Sequence, residues 1–176
     1  MPKIALEILI DDRRWRRMPY LPRQLQTAAD ATFLHLPEFF RRPCLVTVYL
    51  TGNAAIRQLN RDFRGKNRPT NILSFPQIAP FELTKKSKKT EEIHAGDLVL
   101  AYQYIAEEAR KTHKTLLNHV SHLLIHGVLH LFGYDHVSGA GAIQMERLET
   151  RIMRKLGLPD PYAPQPRESK AHSHAL

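Results

Sequence analysis

The run HGVLHLFGYDH at 126–136 constrains this chain more than any other feature. If it begins on an α-helix, His126 and His130 lie on one face, about 6 Å apart along the axis. Two imidazoles so placed can share one metal ion. Gly133 can adopt the left-handed backbone that ends a helix, so the chain can turn back there. The turn can bring His136 to the same ion as a third ligand. Three protein ligands leave a fourth position open, the pattern of a catalytic rather than a structural zinc. His122 lies one turn before His126. Only the set 126, 130 and 136 includes the glycine turn, so His122 is expected behind the ligands, in a substrate groove, or as helix packing. His113 and His119 are read as solvated or structural.

The spacing matches the three zinc ligands of metzincin proteases, with one departure. Those enzymes carry a glutamate after the first histidine as general base. Here that position is Gly127. Peptide hydrolysis needs a base for water and an acid for a poor amine leaving group. Phosphodiester chemistry depends more on charge neutralisation and positioning. Three neutral imidazoles leave the +2 of a divalent ion uncompensated, which suits a phosphate.

The rest of the chain reads as mixed strands and helices. KIALEILI (3–10) alternates with period two, a strand. Pro22 suits a helix start, and a helical stripe runs from Leu21 to Leu36, ahead of Pro37. CLVTVYL (44–50) is a second strand, and Thr51 is expected to cap a helix running through Asn60, with Gly65 beyond its end. NILSF (71–75) and GDLVLA (96–101) are further strands, with a polar loop at 84–92 between them. Helices are expected at about 102–112, 115–132 and 140–156. There is no regular βαβ alternation, so the class is α+β. The chain divides into a domain at 1–157 and a mobile, Pro-rich tail at 158–176. His172 and His174 belong to that tail.

Charge narrows the partner. The 176 residues carry 26 Lys+Arg against 17 Asp+Glu, a net +9. No apolar run is long enough for a membrane span, and the N-terminal stretch is interrupted by Glu7 and followed by Asp11 and Asp12, unlike a signal peptide. Cys44 is the single cysteine, which excludes an internal disulfide and a cysteine-rich zinc site. These features fit a protein of a reducing cytoplasm with an anionic partner. The cations concentrate at 57–68, RQLNRDFRGKNR, where Arg57, Arg61, Arg64, Lys66 and Arg68 face only Asp62, a net +4. That is either a solvated face or a phosphate-contacting patch.

Three blocks in order, LNRDFRGKNRPTNILSFP (59–76), AGDLVLA (95–101) and HLLIHGVLHLFGYDH (122–136), resemble the YbeY endoribonuclease family. A weaker fourth contains Met145, Glu146 and Glu149. The resemblance covers roughly 1–157. It implies a zincin-like single domain of α+β class, with a mixed four-stranded sheet packed by helices and a three-histidine metal site on a helix and the following turn. It implies one zinc ion per chain on His126, His130 and His136, and a functional arginine at Arg64. It implies a cytoplasmic, single-strand-specific endoribonuclease of ribosomal RNA maturation, notably the 16S 3′ end, and of ribosome quality control. Its partners would be RNA and the ribosome or a ribosomal subunit, with no membrane and no nucleotide cofactor. Arg57, Arg61, Lys66 and Arg68 are then candidates for RNA contact, and Ser74, His122 and Asp135 for orienting roles. Asn71 stands where many members have Asp. A second hypothesis is a non-catalytic ribosome-assembly factor whose zinc is structural. A third, a metalloprotease, is disfavoured by Gly127.

Overall fold

The computed structural model describes residues 4–37, 42–77, 92–136 and 139–163. The strands are β1 (Ile4–Ile10), β2 (Cys44–Thr51), β3 (Ile72–Pro76) and β4 (Ile93–Ala101). The helices are α1 (Leu21–His35), α2 (Asn53–Arg64), α3 (Tyr102–Lys111), α4 (Leu116–Leu131) and α5 (Gly139–Lys155). The expected α+β class and mixed four-stranded sheet are found, with order β1-β2-β4-β3. β1, β2 and β4 run parallel, and β3 is antiparallel to β4 at one edge.

The sheet is covered on both faces. Leu98 and Leu100 of β4 join the main core beneath α1, α4 and α5. Val99 and Ala101, on the alternate face, pack with Ile56 of α2 and Leu73 of β3. α4 is apolar around most of its circumference, with Val120, Leu124, Val128 and Leu131 fully buried. Burying each such side chain contributes about 1.5–3 kcal/mol, which fixes this helix across the sheet.

Two glycines let α4 approach closely. A Cβ on Gly127 would stand 2.8 Å from both Ile72 Cδ1 and Leu98 Cδ2. The residue that a metalloprotease uses as its base is therefore, in this chain, the contact between helix and sheet. Gly96, at φ 148°, has no room either, since its Cβ would meet Phe75 O at 2.4 Å and Leu131 Cδ2 at 2.8 Å. Gly96 follows Ala95, the extra residue where β4 slips register against β2 between Leu45 and Val46.

Three sequence expectations change. Thr51 does not cap α2. It is still paired with Ala101 in the sheet, its hydroxyl donates to Asp11 Oδ2 at 2.8 Å, and Gly52 precedes the helix. α2 also continues one turn past Asn60, to Arg64. The expected tail from 158 is packed over its first residues. Pro161 is buried, its carbonyl accepts from Lys114 Nζ at 2.7 Å, and Tyr162 hydrogen-bonds Glu149 of α5. The lysine-rich loop (except Glu92), His172 and His174 lie outside the described residues.

Gly127→Ala should destabilise the metal-free protein by about 1–3 kcal/mol in urea denaturation, because a methyl group must displace Ile72 or Leu98. Trimming Leu98 to Val in the same chain should recover part of that loss.

Candidate metal centre and cleft

α4 presents the histidines in the way its sequence dictates. Thr115 caps its start by accepting from the Asn118 amide at 3.2 Å. At its end, Gly133 (φ 85°) donates to His130 O at 3.0 Å, and Tyr134 donates to Leu129 O at 3.1 Å. This is a Schellman turn. It reverses the chain and returns His136 to the helix face carrying His126 and His130. One nitrogen from each of the three lies within 4.8 Å of the others. His126 Nε2 and His130 Nε2 are 3.0 Å apart.

Behind the cluster sits a residue that no motif assigned a role. Glu149 of α5 is 0% exposed. Its Oε1 is 2.8 Å from His126 Nδ1, its Oε2 is 2.8 Å from His122 Nε2, and Tyr162 OH also donates to Oε2. Burial pushes the Glu149 carboxyl up, but the hydrogen bonds from His122 and His126 outweigh it and hold the pKa at about 2. A carboxylate at that distance requires Nδ1–H on His126. The lone pair of Nε2 then points towards His130 and His136, the tautomer that a metal ligand needs. Burial first, and the neighbouring His126 and His136 second, lower His130 to about 4, so it is neutral across the physiological range. Three converging imidazoles, one of them held in the ligating tautomer, are a donor set that fits a divalent metal ion. His122 thus lies behind the ligands, with its Nδ1 buried and without a partner. The signal that could have found Glu149 was its place one helical repeat into the Met145-Glu146-x2-Glu149 block.

The cluster opens into a cleft of about 890 Å³ between α4, β3 and the 64–71 segment. Arg64, Lys66, Arg68, Ser74 and Asp135 line it together with His126, His130 and His136. Arg64 is held by donating to Ser74 O at 3.2 Å, and Asn60 secures the loop by donating to Arg68 O at 2.7 Å. Two candidate cations are absent from this lining. Arg57 donates to Asn67 Oδ1 at 2.9 Å, and Arg61 pairs with Asp62 at 2.8 Å. Ser74 meets Arg64 through its carbonyl, not its hydroxyl.

Asn71 is engaged by a neighbour on α3 and by its own strand. Its amide donates to Glu108 Oε2 at 3.0 Å, and its Oδ1 accepts from the Ile72 amide at 2.7 Å. Glu108 also pairs with His119 at 3.0 Å, and these bonds outweigh burial to lower its pKa. A carboxylate at 71 would face the Glu108 carboxylate, a repulsion that the neutral amide avoids.

Comparison with known proteins agrees with this geometry. The model of the family described as endoribonuclease YbeY matches residues 16–157. An endoribonuclease YbeY of Allorhizobium ampelinum is 40% identical over 169 residues, covering 94% of this chain and 98% of the relative. The Bradyrhizobium diazoefficiens protein of the same name is 40% identical over 160 residues, covering 91% and 86%. A Thermotoga maritima protein known from its solution structure shares the fold, with TM-score 0.52 at 21% identity, over 91% of this chain and all of that one. Among the described residues no helix is long and apolar enough to cross a membrane.

The depressed pKa of Glu149 gives a stability prediction with a definite sign. Its ordinary value of 4.5 applies when unfolded and about 2 when folded, so its contribution is complete above pH 4.5 and lost as pH falls towards 2. Urea denaturation of metal-free Glu149→Gln should show a deficit of about 1–3 kcal/mol at neutral pH that narrows below pH 4.5. Tyr162→Phe should cost about 1 kcal/mol, since it removes one donor to a carboxylate that keeps two others.

Proposed function

The chain belongs to the endoribonuclease YbeY family, and we propose on that premise that it is a metal-dependent endoribonuclease cutting single-stranded RNA. The carrying observation is that three imidazoles and three cations, Arg64, Lys66 and Arg68, face one cleft. A phosphodiester needs both: neutral donors for a divalent ion and positive charge for the phosphate. His126, His130 and His136 would hold one zinc ion, which supplies Lewis acidity to the phosphate and lowers the pKa of water. The protein supplies the rest. Glu149 keeps His126 in its ligating tautomer. Arg64, tethered to the Ser74 carbonyl, would offer its remaining donors to a phosphate oxygen. Lys66 and Arg68 extend the positive wall along the strand's path.

The biological setting we infer is maturation of ribosomal RNA, including the 16S 3′ end, and ribosome quality control in the cytoplasm. Its partner there would be a ribosomal subunit. The catalytic unit would be residues 1–157, with 158–163 bracing Glu149 through Tyr162. The lack of a carboxylate at position 127, where helix meets sheet, supports RNA over peptide as substrate.

The test is metal content together with cleavage of a labelled single-stranded ribosomal RNA fragment, with and without chelator. Purified protein should hold about one equivalent of zinc, and His130→Ala should lose most of it. Arg64→Ala should retain zinc and melting temperature while cleavage falls about 10²–10³-fold. Arg64→Lys should rescue only partly, because a point charge cannot reproduce a bidentate fork. Zinc-bound protein that binds the RNA and never cuts it would instead indicate an assembly factor with a structural metal.

A further inference from the structure

Phe63 is out of place on the solvent side of α2. It is 66% exposed, between Asp62 and Arg64. Among the described residues its aromatic partner is Phe75 of β3, with ring centroids 5.3 Å apart and planes at 70°. In such a T-shaped pair one ring presents its edge to the other's face. Whichever ring does so, Phe75 leaves at least one face of Phe63 uncovered.

The position of the pair gives that open face a use. Arg64, the next residue, donates to Ser74 O, and Phe75 follows Ser74. β3 is an edge strand. Ser74 and Pro76 line the histidine cleft, while Phe75, on the alternate face, packs with the opposite side's cluster. A nucleic acid strand that left the cleft over the β3 edge, past Arg64, would come next to Phe63, the neighbour of Arg64 in the chain.

We propose that Phe63, propped by Phe75, is a stacking platform for one unpaired nucleobase of the RNA whose phosphate lies at Arg64. This rests on the endoribonuclease reading above and assigns it a base subsite. Stacking is open to every base, because each has a π-face, so the subsite does not select sequence. It does select strandedness. A base inside a duplex has both faces covered by its neighbours, and only an unpaired base can offer one to the phenyl ring. The cation next to the ring in the chain, Arg64, matches the backbone that such a base brings with it.

The experiment uses metal-loaded protein and a short fluorescein-labelled single-stranded RNA, with anisotropy read by stopped flow ahead of cleavage. Phe63→Leu keeps apolar bulk but loses the π-face, and should weaken binding about five- to a hundredfold. On the same RNA made with abasic residues, Phe63→Leu and the parental protein should bind alike. Phe63→Trp should bind within about threefold of the parental protein, since indole stacks at least as well. Its fluorescence should be quenched by the intact RNA and not by the abasic one. The one native tryptophan, Trp15, is buried and leaves that signal clean. Equal binding of intact RNA by Phe63→Leu and parental protein, or an equal loss on intact and abasic RNA, overturns the proposal. Failure of the parental protein to bind any RNA overturns the endoribonuclease reading, and the platform falls with it.

Discussion

The close seating of α4 on the sheet governs everything else in this molecule. With no side chain at Gly127, the helix backbone comes against Ile72 and Leu98, and with none at Gly96, Leu131 comes against β4. That contact sets the height of the helix over the β3 edge. It turns the His126–His130 face towards the space between helix and edge strand, where Arg64 and the 66–71 segment close the other side. A bulkier residue at either glycine would lift the helix and widen that space. The same contact explains why the position after His126 carries no carboxylate: it belongs to the core.

A second constraint acts from behind. Glu149 has its two oxygens taken up by His122, His126 and Tyr162, with no access to water. A buried carboxylate without such partners would be strongly destabilising, so the three donors and the acceptor stabilise one another. This ties together α4, α5 and the segment after α5. The orientation of the His126 imidazole thus depends on residues 23 and 36 positions away, on Glu149 directly and on Tyr162 through it.

Charge is sorted by the same geometry. Five cations crowd 57–68, but the helix carries Arg57 and Arg61 to polar partners outside the cleft, whereas Arg64, Lys66 and Arg68 follow the chain as it leaves the helix and wraps the edge strand. The boundary falls at the helix terminus. Net charge alone could not separate these groups, since all five are exposed and lie in one short stretch.

Much of the site was legible in the sequence because its determinants are local. The 3.6-residue repeat puts His126 and His130 on one face, and a glycine three residues on allows the turn that returns His136. Strand alternation and apolar runs likewise located all four strands to within a few residues. Thr51 misled because its hydroxyl served Asp11 across the sheet end, a partner 40 residues away. Glu149, Tyr162, the pairing of Asn71 with Glu108 and the exposure of Phe63 were decided only by the tertiary structure. Each depends on which distant segment arrives beside it, and periodicity within a segment carries no information about that. The sequence by itself determined that three histidines could meet. The packing of α4, α5 and the sheet decided what holds them, and which arginines face them.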